Sequence, residues 1–145
     1  MGRSYSFVVP ITPVGKQRSR TCEKNGKRWA YTPEKTETAE AAIREAFLDY
    51  WNKPVTYYPL FGDKVPVRLI VLAVSERPKS CHKKRIMPVV SPDADNIIKT
   101  VGDALNGWAW DDDSQITSMM VFKRYGSPAR LEITLSEDTE EVTNG

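Results

Sequence analysis

The sequence is short of the residues that most catalytic and structural centres need. Its 145 residues contain two cysteines, Cys22 and Cys81, and one histidine, His82. Those three side chains cannot supply the four ligands of a structural zinc site. Two distant cysteines read as reduced thiols in a cytoplasmic protein. A Ser-His-Asp or Cys-His apparatus would have to rest on His82, which lies in the cationic run "RPKSCHKKR" and reads as part of a solvated loop. No apolar run reaches the ~18 residues of a membrane span. The opening "MGRSYSFVVPITPVG" lacks the apolar length and the small-residue cleavage site of a signal peptide, and matches only the loose myristoylation pattern. Internal repeats and low-complexity tracts are also missing.

What is present is charge, unevenly placed. The net charge is only +2, yet "KQRSRTCEKNGKR" (Lys16 to Arg28) carries six basic residues and one acidic, and Arg77 to Arg85 adds five basic residues and no acid. Two basic segments of this kind can track phosphates while the acids stay apart from them. The acids gather in "SPDADNIIKTVGDALNGWAWDDDSQ" (Ser91 to Gln115), with six aspartates and a single lysine, and in the final "SEDTEEVTNG".

The apolar patterning predicts one domain of α+β class, a single mixed β-sheet with helices packed against it. "YSFVVPI" reads as a strand ended by Pro10. The basic stretch from Pro13 to Trp29 reads as a long loop or an open hairpin about its "NG" turn. A helix is expected from Pro33, capped by Thr32 and favoured by Glu34 and Glu37 at its positive end. Ala39, Ile43, Ala46, Phe47 and Tyr50 would form its apolar face, and Pro54 would close the segment. "VPVRLIVLAV" (Val65 to Val74) reads as a central strand, followed by a basic loop to Val90. A second helix is expected from about Asp95 to Asn106, burying Ile97, Ile98, Val101, Ala104 and Leu105, with Asn106-Gly107 as its end. "ITSMMVFKRY" and "ARLEITL" read as two strands joined by a turn at "GSPA". The domain is expected to span residues 1–135, and 136–145 to form a disordered acidic tail.

On that scaffold Asp93 and Asp95 fall at the start of the second helix. Asp95, Lys99 and Asp103 share a face opposite the isoleucines. Asp111, Asp112 and Asp113 come just before the next strand, and a tight return could bring the two groups around one cavity. Grouped carboxylates repel unless a cation neutralises them, and hard oxygen ligands suit Mg²⁺ or Mn²⁺. An ion held this way can polarise a phosphodiester and activate water, with Lys99 stabilising charge on the phosphate. The same residues also have plain readings: an Asp helix cap, a surface Asp95–Lys99 pair, an Asp-rich turn. An EF-hand is excluded, because Ile98 and Ala104 stand where that loop needs glycine and glutamate.

"PDADNIIKTVGDALNG", then "WDDDSQI" and a strand with "FKRY", resembles the RusA family of Holliday-junction resolvases. That family's core reads D-x-D-N-x-x-K-x-x-x-D-A-L-N-G and is followed by D-D-x-Q. "VGKQRSR" and "YTPEKT" resemble its basic loop and helix entry, so the likeness runs from Val8 to Leu135. The resemblance implies a homodimeric, Mg²⁺-dependent endodeoxyribonuclease that nicks branched DNA, encoded by a bacterium, prophage or phage. It uses no small-molecule cofactor and no membrane. Asp93, Asp95 and Asp113 match the metal-binding catalytic aspartates, and Lys99 matches the essential lysine. Asp103 and Asp112 match accessory carboxylates, and Asp111 is an additional one. Lys16, Arg18, Arg20, Lys27, Arg28, Lys83, Lys84 and Arg85 are expected to hold the DNA backbone. The alternatives are a nuclease for flaps, forks or RNA, a junction-binding module without cleavage, and an interaction protein with a structural Asp-rich turn.

Overall fold

Alternation along the strands and helical spacing between them sort the chain into two layers. The computed structural model describes residues 3–15, 20–31, 34–81 and 83–143, with backbone only at 20–23 and 29–31. The elements follow in the order β1 (Ser4–Val9), β2 (Arg20–Lys24), β3 (Lys27–Tyr31), α1 (Glu34–Trp51), β4 (Val67–Ser75), α2 (Ala94–Leu105), β5 (Ile116–Tyr125) and β6 (Arg130–Glu137). The main sheet is mixed, with strand order β1-β6-β4-β5; β4 runs parallel to β5 and antiparallel to β6. The α+β reading is therefore correct, and β4 is an inner strand as its apolar run implied.

Register decides which residues meet the helices. Directly paired residues point to the same face, so Phe7, Ile133, Val71 and Val121 form one row across all four strands. This face packs on Ile43 and Phe47 of α1 and on Ile97 and Val101 of α2 in a single core. Each fully buried Leu, Ile or Phe there contributes roughly 1.5–3 kcal/mol. The opposite face carries the rows Ser6–Thr134–Ile70–Met120 and Val8–Glu132–Leu72–Phe122. Helix α1 buries Thr36, Ala39, Ile43 and Phe47, while Tyr50 is exposed and stacks on Phe7 with centroids 5.8 Å apart. The expected cap, Thr32 and Pro33, lies outside the described residues.

The basic stretch after Pro13 contains a true hairpin. Asn25 and Gly26 both have positive φ, 53° and 75°, as a two-residue primed turn requires. The two expected strands on either side of "GSPA" are present as β5 and β6, and β4 lies between them. Their short connection crosses the end of β4, where Gly126 N–H donates to Ser75 O at 3.0 Å. A Cβ on Gly126 would stand 2.9 Å from Val74 Cγ1, so only glycine lets the chain pass that close.

The last strand is fastened at its end. β6 continues to Glu137. The Asp138 carboxylate then accepts from Ser118 Oγ at 2.5 Å and Thr117 Oγ1 at 2.7 Å, and pairs with Arg68 Nη2 at 3.3 Å. Those hydroxyls, Ser118 first, and the backbone N–H of Glu140 lower its pKa from 3.8 to about 2. A carboxylate depressed in the folded state stabilises above its unfolded pKa, and that contribution is lost as pH falls through the folded value. Acid unfolding of wild type should therefore steepen between about pH 4 and pH 2, and Asp138→Asn should flatten that limb. Parallel curves for the two proteins would show that Asp138 does not clamp the end of β6.

Candidate active site at the start of the second helix

Helix α2 presents a sharply divided surface. Ile97, Ile98, Val101, Ala104 and Leu105 are buried as the periodicity predicts, and Asp95 and Lys99 are exposed on the other side. Asp103, on the same face, is half-buried. Thr100 is buried too, its hydroxyl donating to Asn96 O at 3.0 Å. Asp93 occupies the N-cap with extended backbone, and its carbonyl accepts from Ile97 N–H at 3.0 Å. Its carboxylate makes no capping hydrogen bond. An aspartate serving only as a cap would accept from one of the first helical N–H groups. The plain capping role therefore does not account for Asp93.

Asp93 instead lines a cleft of about 320 Å³, together with Val14, Gly15, Lys35, Pro92 and Asn96. Gly15 sets how tightly this cleft closes. A Cβ there would stand 3.0 Å from Pro92 Cβ and 3.1 Å from Asn96 Cβ, closer than ordinary van der Waals contact.

Asp111, Asp112 and Asp113 lie at the other end of α2. The helix ends at Asn106, and Gly107, at φ 84°, turns the chain back. The return loop is fastened to residues 60–61 by Leu60 N–H to Trp108 O (3.2 Å) and Phe61 N–H to Ala109 O (2.8 Å). Asp112 then caps a 3-10 turn over Asp113–Gln115. Its carboxylate accepts from Ser114 N–H at 3.0 Å and also from the Ser114 hydroxyl. The Ser114 hydroxyl, and after it the backbone N–H, hold the Asp112 pKa below its ordinary value. Asp113 accepts from Nε1 of the fully buried Trp110 at 2.9 Å. Asp112 is thus committed to the turn, whereas Asp113 is oriented by the core.

Within one copy the described residues do not bring these aspartates together around a cavity. Among the described residues no group of three or more His, Cys, Asp or Glu side chains could hold a metal ion. The reason is the length of α2: its 12 residues span about 18 Å at 1.5 Å per residue, with Asp93 and Asp95 at one end and Asp113 beyond the other. The donors do fit a hard cation in kind. Magnesium is commonly held by one or two carboxylates plus water and substrate phosphate rather than by a full protein cage.

Of the expected DNA-binding residues, Lys27, Arg28, Lys83, Lys84 and Arg85 are exposed. Lys16, Arg18 and the Arg20 side chain lie outside the described residues, as does His82. The second basic loop is organised by Arg77, whose guanidinium donates to Lys83 O at 3.3 Å and to Arg85 O and lies 5.2 Å from the Tyr125 ring centroid.

Residues 10–136 match the sequence profile of the endodeoxyribonuclease RusA family. The chain belongs to the RusA family. Membership supports endodeoxyribonuclease activity of the Holliday-junction-resolving type and binding to branched DNA junctions. Enzymes of the RusA family are generally dependent on a divalent metal. Uncharacterized protein YqaN of Bacillus subtilis (strain 168) is 29% identical over 134 residues, covering 90% of this chain and 94% of YqaN. Among the described residues no helix is long and apolar enough to cross a membrane.

Two residues with visible work beside this site had no role assigned from sequence: Trp110, one of four tryptophans open to a core, interface or stacking role, holds Asp113, and Gln115 holds the turn. Gln115 is buried and uses its whole amide. Oε1 accepts from the N–H groups of Asp111 and Asp112, both at 2.8 Å, and Nε2 donates to Gly62 O (2.8 Å) and Val65 O (3.1 Å). The D-D-x-Q signature contained it, but nothing local marks a glutamine as buried. Gln115→Leu would strand four backbone groups, and about 1–3 kcal/mol of stability should be lost. Urea unfolding checks this; an unchanged midpoint would show that water replaces the amide.

Proposed function

We propose that the chain is a Mg²⁺-dependent endodeoxyribonuclease that resolves four-way DNA junctions by paired symmetric nicks, working in the cytoplasm as a homodimer. The observation that carries this reading is the uncommitted carboxylate of Asp93 at the mouth of a polar cleft, with Asp95 in the following turn. Asp93, Asp95 and Asp113 are the metal ligands in this reading, with Mn²⁺ an acceptable substitute. The bound ion supplies polarisation of the phosphodiester and a water that ionises near neutral pH.

The chain's own residues do the rest. Lys99, one turn from Asp95, neutralises charge as it develops on the phosphate. Asp103 supports the same helix face, and Asp112 fixes the turn that aims Asp113. Lys16, Arg18, Arg20, Lys27, Arg28, Lys83, Lys84 and Arg85 grip the backbone by releasing counterions.

Two nicks at symmetric positions need two sites, which a two-fold dimer supplies. Such a dimer also bears on the separation of the aspartates. A second copy running antiparallel beside β5 sets its Asp113 toward the end where the first copy carries Asp93 and Asp95. Met119, Met120 and Phe122 are exposed on that edge strand, as an interface between copies requires.

The test is nicking of a mobile four-way junction and of linear duplex, in Mg²⁺ and in EDTA, with sedimentation of the same sample. Paired nicks confined to the junction and abolished by EDTA, from a particle of twice the chain mass, support the reading in full. Cutting of flaps or RNA in preference to the junction would replace its substrate. Tight junction binding without cutting in either metal would make the chain a binding module.

A further inference from the structure

Two hollows meet at the start of α1. One, of about 470 Å³, is bordered by Ile11, Thr38 and Ala39; the other is the 320 Å³ cleft that holds Asp93 and Asn96. Lys35 and Val14 border both. The apolar hollow suits the methylene stem of a lysine and the polar cleft suits its ammonium.

Helix stability does not explain a lysine here. Lys35 lies in the first turn of α1, between Glu34 and Glu37, where the macrodipole favours acids and opposes cations. Among the described residues it makes no ion pair, although acidic neighbours stand on its own helix. Asp93 faces the same cleft from α2, and an approaching DNA strand is repelled by that carboxylate. A cation on the opposite wall offsets the repulsion and gives a phosphate oxygen a fixed point of attachment.

We infer that Lys35 is a DNA-binding residue of this site, its ammonium holding a backbone phosphate that enters between the start of α1 and the start of α2. Lys35 stands in the "YTPEKT" helix entry, outside the two basic runs and the Asp-rich signature. The inference deepens the nuclease reading and rests on it for the identity of the ligand. Gly15, packed against Pro92 and Asn96, fixes the third wall, so the phosphate meets a site built from three separate segments.

The experiment is a salt titration of the binding of a labelled four-way junction, in Ca²⁺ so that the DNA stays intact. It compares wild type, Lys35→Gln, Lys35→Arg and Lys53→Gln, the last an exposed lysine just past the other end of α1. Removing one phosphate contact lowers the slope of log affinity against log salt by about 0.9. Lys35→Gln should show that loss, Lys35→Arg should restore it, and Lys53→Gln should match wild type. In Mg²⁺ the Lys35→Gln defect should fall on KM rather than kcat.

An unchanged slope and KM for Lys35→Gln overturns the inference, even if wild type cuts junctions normally. An equal loss in Lys53→Gln does the same, because the effect would then be general charge. A slope lost with Lys35→Gln in a wild type that binds but never cuts upholds the phosphate contact and refutes the nuclease reading instead. A wild type that binds no DNA overturns both.

Discussion

Asp95→Asn should reduce junction nicking by more than about a hundredfold, a loss beyond what the orienting partners of metal ligands usually cost, while the protein stays folded and still binds the junction. Asp95 is exposed in the first turn of α2, so the isosteric amide disturbs no core packing. Asparagine keeps one oxygen but loses the charge that a divalent cation needs. Removing a negative group beside a phosphate also lowers repulsion, so junction affinity should be equal or higher. The measurement is single-turnover cleavage beside equilibrium binding, with the thermal midpoint as a check on folding. Cleavage within threefold of wild type would remove Asp95 from the metal site. Parallel loss of binding and cleavage would instead place it in the DNA contact.

The largest stability effect is expected at Trp110. It is fully buried in the return loop, and its indole N–H donates to Asp113 at 2.9 Å. Trp110→Ala removes the largest fully buried side chain among the described residues and should destabilise the fold by about 3–5 kcal/mol. Trp110→Phe separates packing from orientation. It keeps most of the ring but removes the donor, so stability should fall by roughly 1 kcal/mol while cleavage falls more steeply. Denaturant unfolding and nicking on the same preparations check both variants. Unimpaired cleavage by Trp110→Phe would mean that Asp113 is positioned by its turn alone.

Both predictions depend on features of different legibility. Asp95 was readable because helix periodicity is local: Ile97, Ile98, Val101 and Leu105 at helical spacing fix which side of α2 is wet. Asp112 and Asp113 looked equivalent in sequence. Only the fold distinguishes them, since Ser114 takes the first and Trp110 orients the second. Trp110 could be read as a core, interface or stacking residue, and Gln115 gave no local sign of burial, because its amide partners at residues 62 and 65 are remote in sequence. Lys35 stands in an ordinary charged first turn, and only the approach of α1 to the start of α2 gives it a site.

By itself the sequence determined the elements and their faces: the Asn25-Gly26 turn, the inner strand β4, the buried stripe of α2, and through the Asp-x-Asp-Asn motif the family. These depend on turn chemistry and on periods of 3.6 and 2 residues, which a short window of sequence carries. The tertiary structure alone decided that β4 separates β5 from β6, and that α2 holds Asp93 and Asp113 at opposite ends. Strand order is set by long-range burial, here Leu131, Ile133 and Leu135 finding neighbours on both β1 and β4, and no local pattern records which neighbour wins. The distance between two carboxylates is likewise a property of the rigid helix between them, so nearness in sequence did not become nearness in space.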